Sequence, residues 1–189
     1  MKTLKDYMTT PGDEMTEHFF DRTWMHINAV RKNIEKIIES GKWSNLEQDL
    51  RNRMKKHDQT KFHHPEHKPY IWTTWMYKCK ADNKPFEYPP GMEKRAHEAT
   101  VHHVLNNRHH PEYHAGEAPI DGKDRDAATK VVDASGMNTA DLVEMVCDSK
   151  AVGDERNNSV KDWFEKNSGT RWKFTDKQIE TINEVIGEL

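Results

Sequence analysis

Twelve histidines in a chain of 189 residues ask for a chemical explanation. Imidazole titrates near neutrality and is the commonest transition-metal ligand. Four groups of residues carry the case. His26 stands four positions before Val30, on the stripe formed by Ile27, Val30, Ile34, Ile37 and Ile38. A lone histidine on such a stripe is more often a packed core residue than a ligand. His57 and Asp58 open the run HDQTK. An adjacent imidazole and carboxylate at a helix end can reach one metal together, or set the carboxylate between two. The dipeptide is common by chance, but His57 continues the stepped row Leu46, Leu50, Met54 and so is expected to point inward. His102, His103, His109 and His110 form two pairs spaced by seven, which two helical turns bring to roughly one face. The plain alternative for them is a solvated, pH-sensitive or adventitious metal-binding face. Asp141, Glu144 and Asp148 step by three and four. Rows of this kind usually face water, yet Asp148 is flanked by Met145, Val146, Cys147, Ala151 and Val152. A carboxylate in so apolar a run is expected to be inward and paired or metal-bound.

These side chains need helices to position them, and the apolar spacing predicts helices throughout. The first covers residues 16–40 and stops at Gly41. The second opens on an S-x-x-E capping box at Ser44 and Glu47, and Pro65 closes its region. The third, residues 66–81, carries Ile71, Trp72, Trp75, Met76 and Cys79. A loop rich in proline follows over residues 82–91, then a fourth helix over residues 92–108, with Pro111 disfavouring helical geometry at His110. Residues 112–136 read as a long surface loop, with a short helix near residues 127–132. A fifth helix starts at Asn138 or Thr139, and a last amphipathic stretch covers residues 176–186. Alternating strand patterns are almost absent, so the expected class is all-α, in a single domain.

Composition narrows the functions. The formal net charge of -3 argues against a protein that wraps nucleic acid. No apolar run approaches the roughly 18 residues needed to cross a bilayer. Residues 1–12 hold no apolar segment of a secretory signal, and two cysteines, Cys79 and Cys147, are too few for a disulfide framework, so the expected setting is cytoplasmic. Leu, Ile, Val and Phe number 31 of 189 residues. A core this thin in aliphatic mass, in a chain this rich in histidine, suits a metal-supported fold.

The order His26, His57-Asp58, the histidines between His102 and His110, then Asp148 resembles the HD-domain superfamily, all-α metal-dependent phosphohydrolases with a minority of di-iron oxygenases. HDQTK is similar to the HDxxK of some members, in which the lysine, here Lys61, faces phosphate. More narrowly the chain resembles a small, poorly characterised phage and bacterial HD-like family, through HDQTKF, the Glu66 to Tyr70 spacing, AxxHHxxxNxHHxxY over residues 99–113 and EMxxDxxA over residues 144–151. The resemblance covers residues 20–163 and implies a helical bundle with a metal site at its centre. The third histidine group lies closer to the HH pair than in larger HD enzymes, so its two ligands stay open, with His103 and His109 preferred and His110 next.

The implied ligand set suits one or two divalent transition metals. Asp58 would bridge, with His26, His57 and Asp148 on one metal and two later histidines on the other. Mixed imidazole and carboxylate ligation suits Mn, Fe, Co, Ni or Zn. The implied activity is hydrolysis of a nucleotide or other small phosphorylated metabolite by a metal-activated water, with Lys61 and Arg108 neutralising phosphate and Glu144 as supporting partner or base. Tyr70, Trp72 and Trp75 either wall a nucleobase pocket or, the plainer reading, fill core. The rivals are a mixed-valent di-iron oxygenase and a non-catalytic metal-stabilised interaction module. The expected organisation is an N-terminal extension over residues 1–15, a helical domain over residues 16–165, and a C-terminal helix within residues 166–189 packed on it. Residues 112–136, tied at both ends to presumed ligands, are expected to cover the site.

Overall fold

The computed structural model describes residues 10–120 and 129–189. Eight α-helices lie among them: α1 (Asp13–Glu39), α2 (Glu47–Lys56), α3 (His67–Ala81), α4 (Met92–Asn106), α5 (Pro111–Ala115), α6 (Thr139–Glu155), α7 (Val160–Asn167) and α8 (Asp176–Glu188). Two short 3-10 turns, Ser44–Leu46 and Gln59–Phe62, and two strands of two residues each, β1 (Val132–Asp133) and β2 (Trp172–Lys173), complete the set. The expectation of a predominantly helical chain is met. No helix among the described residues is long and apolar enough to cross a membrane.

The backbone of the described residues divides into two compact units, one of residues 10–25 and 59–103, the other of residues 26–58, 104–120 and 129–189. The first is built on Phe19, Tyr70, Ile71 and Ala99, with Met15 and Phe62 packed against them. Aromatic rings supply what aliphatic residues do not. Phe62 stacks on Phe20 at 5.7 Å and on Trp24 at 5.2 Å. Trp75 is half-buried and meets the ring of His18 edge-on at 5.9 Å.

The second unit holds the larger core. Val30, Ile34 and Ile37 of α1, Leu50 of α2, Leu142, Val143 and Val146 of α6, Phe164 of α7 and Ile182 and Val185 of α8 pack together. Full burial of each such side chain contributes about 1.5–3 kcal/mol. The helices start where their caps dictate. Asn138 and Asp141 form a reciprocal capping box on α6, Thr175 and Gln178 form another on α8, and the Ser159 hydroxyl accepts from the Asp162 amide at α7.

Three local expectations need correction. Ser44 and Glu47 do not cap α2. Ser44 is inside a 3-10 turn closed by the Leu46 amide on the Trp43 carbonyl at 2.8 Å, and the Glu47 carboxylate accepts from Arg51 at 2.9 Å instead. Residues 112–136 are not one surface loop. Residues 111–115 form α5, and β1 pairs in parallel with β2, the amides of Val132 and Ala134 each donating at 2.9 Å to the carbonyls of Arg171 and Lys173. Val132, Ala134 and Met137 are core residues, and the Gln178 amide group donates to the carbonyls of Ala134, Ser135 and Met137. This end of the segment is therefore structural, which removes it from any cover over the site. The short helix expected near residues 127–132 gives way to bends and strand at residues 129–132. Residues 127 and 128, like the centre of the expected cover and most of the expected N-terminal extension, lie outside the described residues.

Candidate metal centre

Four elements of the second unit bring chemistry to one place. α1 carries His26 one position before the buried Ile27. α2 ends at His57, whose amide still bonds the Arg53 carbonyl at 2.8 Å while its own ψ of 126° leaves the helix. Asp58 then adopts a φ of +58°. Aspartate is among the few residues that tolerate this left-handed conformation, and such backbone concentrates at functional sites. His109 comes from the tight segment between α4 and α5. Glu144 and Asp148 are one turn apart on α6.

The side chains converge. His26 Nε2 lies 3.0 Å from Asp148 Oδ1 and 3.4 Å from Asp58 Oδ2. His57 Nε2 lies 3.8 Å from Asp58 and 3.9 Å from Asp148. His109 Nε2 lies 3.7 Å from Asp58 and 3.8 Å from Asp148. A metal with bonds of about 2.1 Å holds adjacent donor atoms roughly 3.0–3.4 Å apart, so this shell has the right size and is slightly expanded. His57 Nε2 is buried and makes no hydrogen bond, an arrangement that costs free energy unless a ligand occupies it. Two carboxylates among three imidazoles balance a divalent cation.

Glu144 stands behind the histidines. Its Oε1 lies 3.0 Å from His57 Nδ1 and 3.4 Å from His109 Nδ1, and its Oε2 accepts from Arg53 at 3.1 Å. Burial alone would raise the Glu144 pKa, but the bonds from His109 and His57 pull it well below the usual carboxylate range. An ionised carboxylate only accepts, so both rings present Nδ1–H to Glu144 and keep Nε2 for the far side. A cation between the two Nδ1 atoms and Glu144 would face the Arg53 guanidinium, so the Asp58 and Asp148 side is the one that could hold a metal. With both oxygens engaged, Glu144 is suited to a supporting role rather than to that of base.

The charges also fix the metal-free state. Burial would lower the His26 pKa, but hydrogen bonds to Asp148 and Asp58 outweigh it and raise it to about 9. Asp148 is held low by the same contact despite its desolvation. A proton on His26 thus takes the place a cation would occupy. A raised pKa contributes stability that is complete below the unfolded value of about 6.5 and is lost as pH rises through 9. The depressed carboxylates contribute above their unfolded range and fail as pH falls below about 4. Urea unfolding of chelator-treated protein is therefore expected to show greatest stability near pH 5–6.5 and a loss of up to about 3 kcal/mol by pH 9.5. An unchanged midpoint between those pH values would contradict the His26 contacts.

The remaining sequence candidates make contacts of their own. Arg108 spends Nε and one terminal nitrogen on Asp141, at 3.1 and 3.3 Å, and about half its side chain is exposed. The His110 ring packs 4.2 Å from that of His109. His103 and Lys61 belong to the first unit. There the fully buried Glu66 accepts from His102 Nδ1 at 2.8 Å, His103 Nδ1 at 2.9 Å and the Thr60 hydroxyl at 2.9 Å, while Lys61 Nζ stands 5.5 Å from the centre of the Tyr70 ring. Desolvation opposes ionisation of Glu66, but the bonds from His103, His102 and Thr60 win and lower its pKa. Glu66 thus holds two histidines as Glu144 does. Neither this role of Glu66 nor that of Arg53 is found by reading for ligands. The signal for Arg53 is its position one turn before His57.

No curated protein and no solved structure matches the chain. A family model described as a family of unknown function, DUF5662, matches residues 15–188, a span that takes in every residue of the cluster and all but the ends of the chain, and the protein belongs to that family.

Proposed function

We propose that the protein is a metal-dependent phosphohydrolase of HD type. His26, His57, Asp58, His109 and Asp148 would hold one or two divalent transition metals, and the substrate would be a nucleotide or another small phosphorylated metabolite. The observation that carries the reading is the convergence of three Nε2 atoms on two carboxylates, at nitrogen-to-oxygen distances of 3.0–3.9 Å, with the His57 Nε2 among them buried and without a hydrogen bond. A divalent transition metal held there supplies Lewis acidity and a nucleophilic water at neutral pH. The chain's own residues do the rest. Glu144 keeps the His57 and His109 lone pairs facing the site. Asp148, with 19 % of its side chain exposed, marks the side open to solvent.

Phosphate release from a panel of nucleotides, with manganese or cobalt added, tests the reading. Turnover that needs metal and disappears in Asp148→Ala supports it. Bound iron with a dioxygen-dependent optical change, and no phosphate release, replaces it with an oxygenase. Absence of both, with unfolding on chelation, replaces it with a structural metal site. Because His26, with its pKa raised to about 9, must shed its proton to bind, metal affinity is expected to rise roughly 50-fold between pH 7 and pH 9. Flat affinity over that range in a chelator-competition assay would count against His26 as a ligand.

A further inference from the structure

We infer that Arg53 is a positioning residue for the metal ligands, acting through Glu144 and anchored by Asp141; this deepens the metal-site reading and rests on it. Arg53 of α2 lies one turn before His57, the residue that closes the helix. Asp141, Glu144 and Asp148 share one face of α6 at spacings of three and four. The two rows meet in register. One terminal nitrogen of Arg53 donates to Asp141 at 2.8 Å and to Glu144 at 3.1 Å, and His57 Nδ1 meets Glu144 at 3.0 Å.

The anchor is fixed from several directions. Asp141 is fully buried, accepts from the Asn138 amide at 2.9 Å at the start of α6, and also receives Arg108 at 3.1 Å and His114 at 3.4 Å. A guanidinium held between two carboxylates leaves Glu144 little freedom to rotate. Glu144 in turn sets which nitrogen of His57 and of His109 bears the proton. Partners that orient metal-bound histidines in this way typically change metal affinity 10–100-fold when removed. Lysine cannot replace this residue fully, because the guanidinium also places its Nε 3.1 Å from Asp49, a second contact that fixes the plane of the group and that a single ammonium cannot make at the same time.

The experiment has two arms. The first is nitrogen-15 NMR of the metal-free parent protein with labelled histidine. Neutral His57 and His109 are expected to carry the proton on Nδ1, and a proton on Nε2 of either would overturn the inference. The second compares zinc affinity, by competition with a chelating dye, among the parent, Arg53→Met and Arg53→Lys. Arg53→Met is expected to bind 10–100-fold more weakly and to show mixed tautomers, with Arg53→Lys between it and the parent. Affinity of Arg53→Met within twofold of the parent would overturn the inference. If Arg53→Met does not fold, Arg53→Lys carries the comparison, with about a tenfold loss expected and affinity within twofold of the parent contradicting it. A parent protein that binds no zinc defeats the metal reading instead, and unchanged tautomers in Arg53→Met would then show separately that Arg53 does not position His57 and His109.

Discussion

Asp58→Ala is expected to leave the protein without stoichiometric metal. Asp58 is within 3.4 Å of His26 Nε2, 3.8 Å of His57 Nε2 and 3.7 Å of His109 Nε2. Its loss removes one of the two charges that would balance a bound cation, and a weakening of at least about 100-fold is expected from the role of ligand charge in such sites. Alanine at a φ of +58° also costs roughly 1–2 kcal/mol, since its Cβ crowds the following carbonyl. Asp58→Asn separates the two effects, because asparagine tolerates the left-handed backbone but carries no charge. Elemental analysis after gel filtration, with circular dichroism to confirm folding, checks both variants. Parent-level metal in folded Asp58→Asn would refute the assignment of this carboxylate.

The largest expected effect on stability is at Trp172. Its ring is buried beside Trp163 at 5.2 Å and Phe174 at 6.3 Å, and its backbone forms β2. Its indole N–H donates to the buried carboxylate of Glu112 at 3.1 Å. Trp172→Ala is expected to lose about 3–5 kcal/mol for the cavity, plus about 1–3 kcal/mol for removing the donor to Glu112. Trp172→Phe keeps most of the ring and is expected to lose about 1–3 kcal/mol, chiefly from the missing N–H. Denaturant unfolding distinguishes them. A loss below 1 kcal/mol in Trp172→Ala would mean that the β1–β2 region is not part of the cooperative core.

That region also shows where sequence reading stops. Ile27, Val30, Ile34 and Ile37 announce the buried face of α1 because each helical turn repeats the same burial, and Asn138 and Thr175 announce α6 and α8 because their side chains cap the first turn. His26, His57 and Asp148 were legible as convergent candidates because each polar group interrupts or adjoins an apolar stripe. Val132 and Trp172 carry no such signal. A strand of two residues has no period, and its hydrogen bonds run to a partner about 40 residues away. Ser44 matched a capping box in sequence, but the 3-10 turn at Leu46 moved the start of α2 past it. Which carboxylate holds each of His102, His103 and His109 was illegible for a different reason. Glu66 accepts from His102 and His103 and Glu144 from His109, and spacing holds no information about those pairings.

The metal-centre assignment is tested most directly by anomalous diffraction at a metal absorption edge, on crystals of the parent protein grown with manganese or zinc. The account predicts a peak about 2.0–2.3 Å from His57 Nε2 and from the Asp58 carboxylate, with His26, His109 and Asp148 completing the shell. No peak there at saturating metal, or a peak on the Nδ1 side between His57, His109 and Glu144, would contradict it.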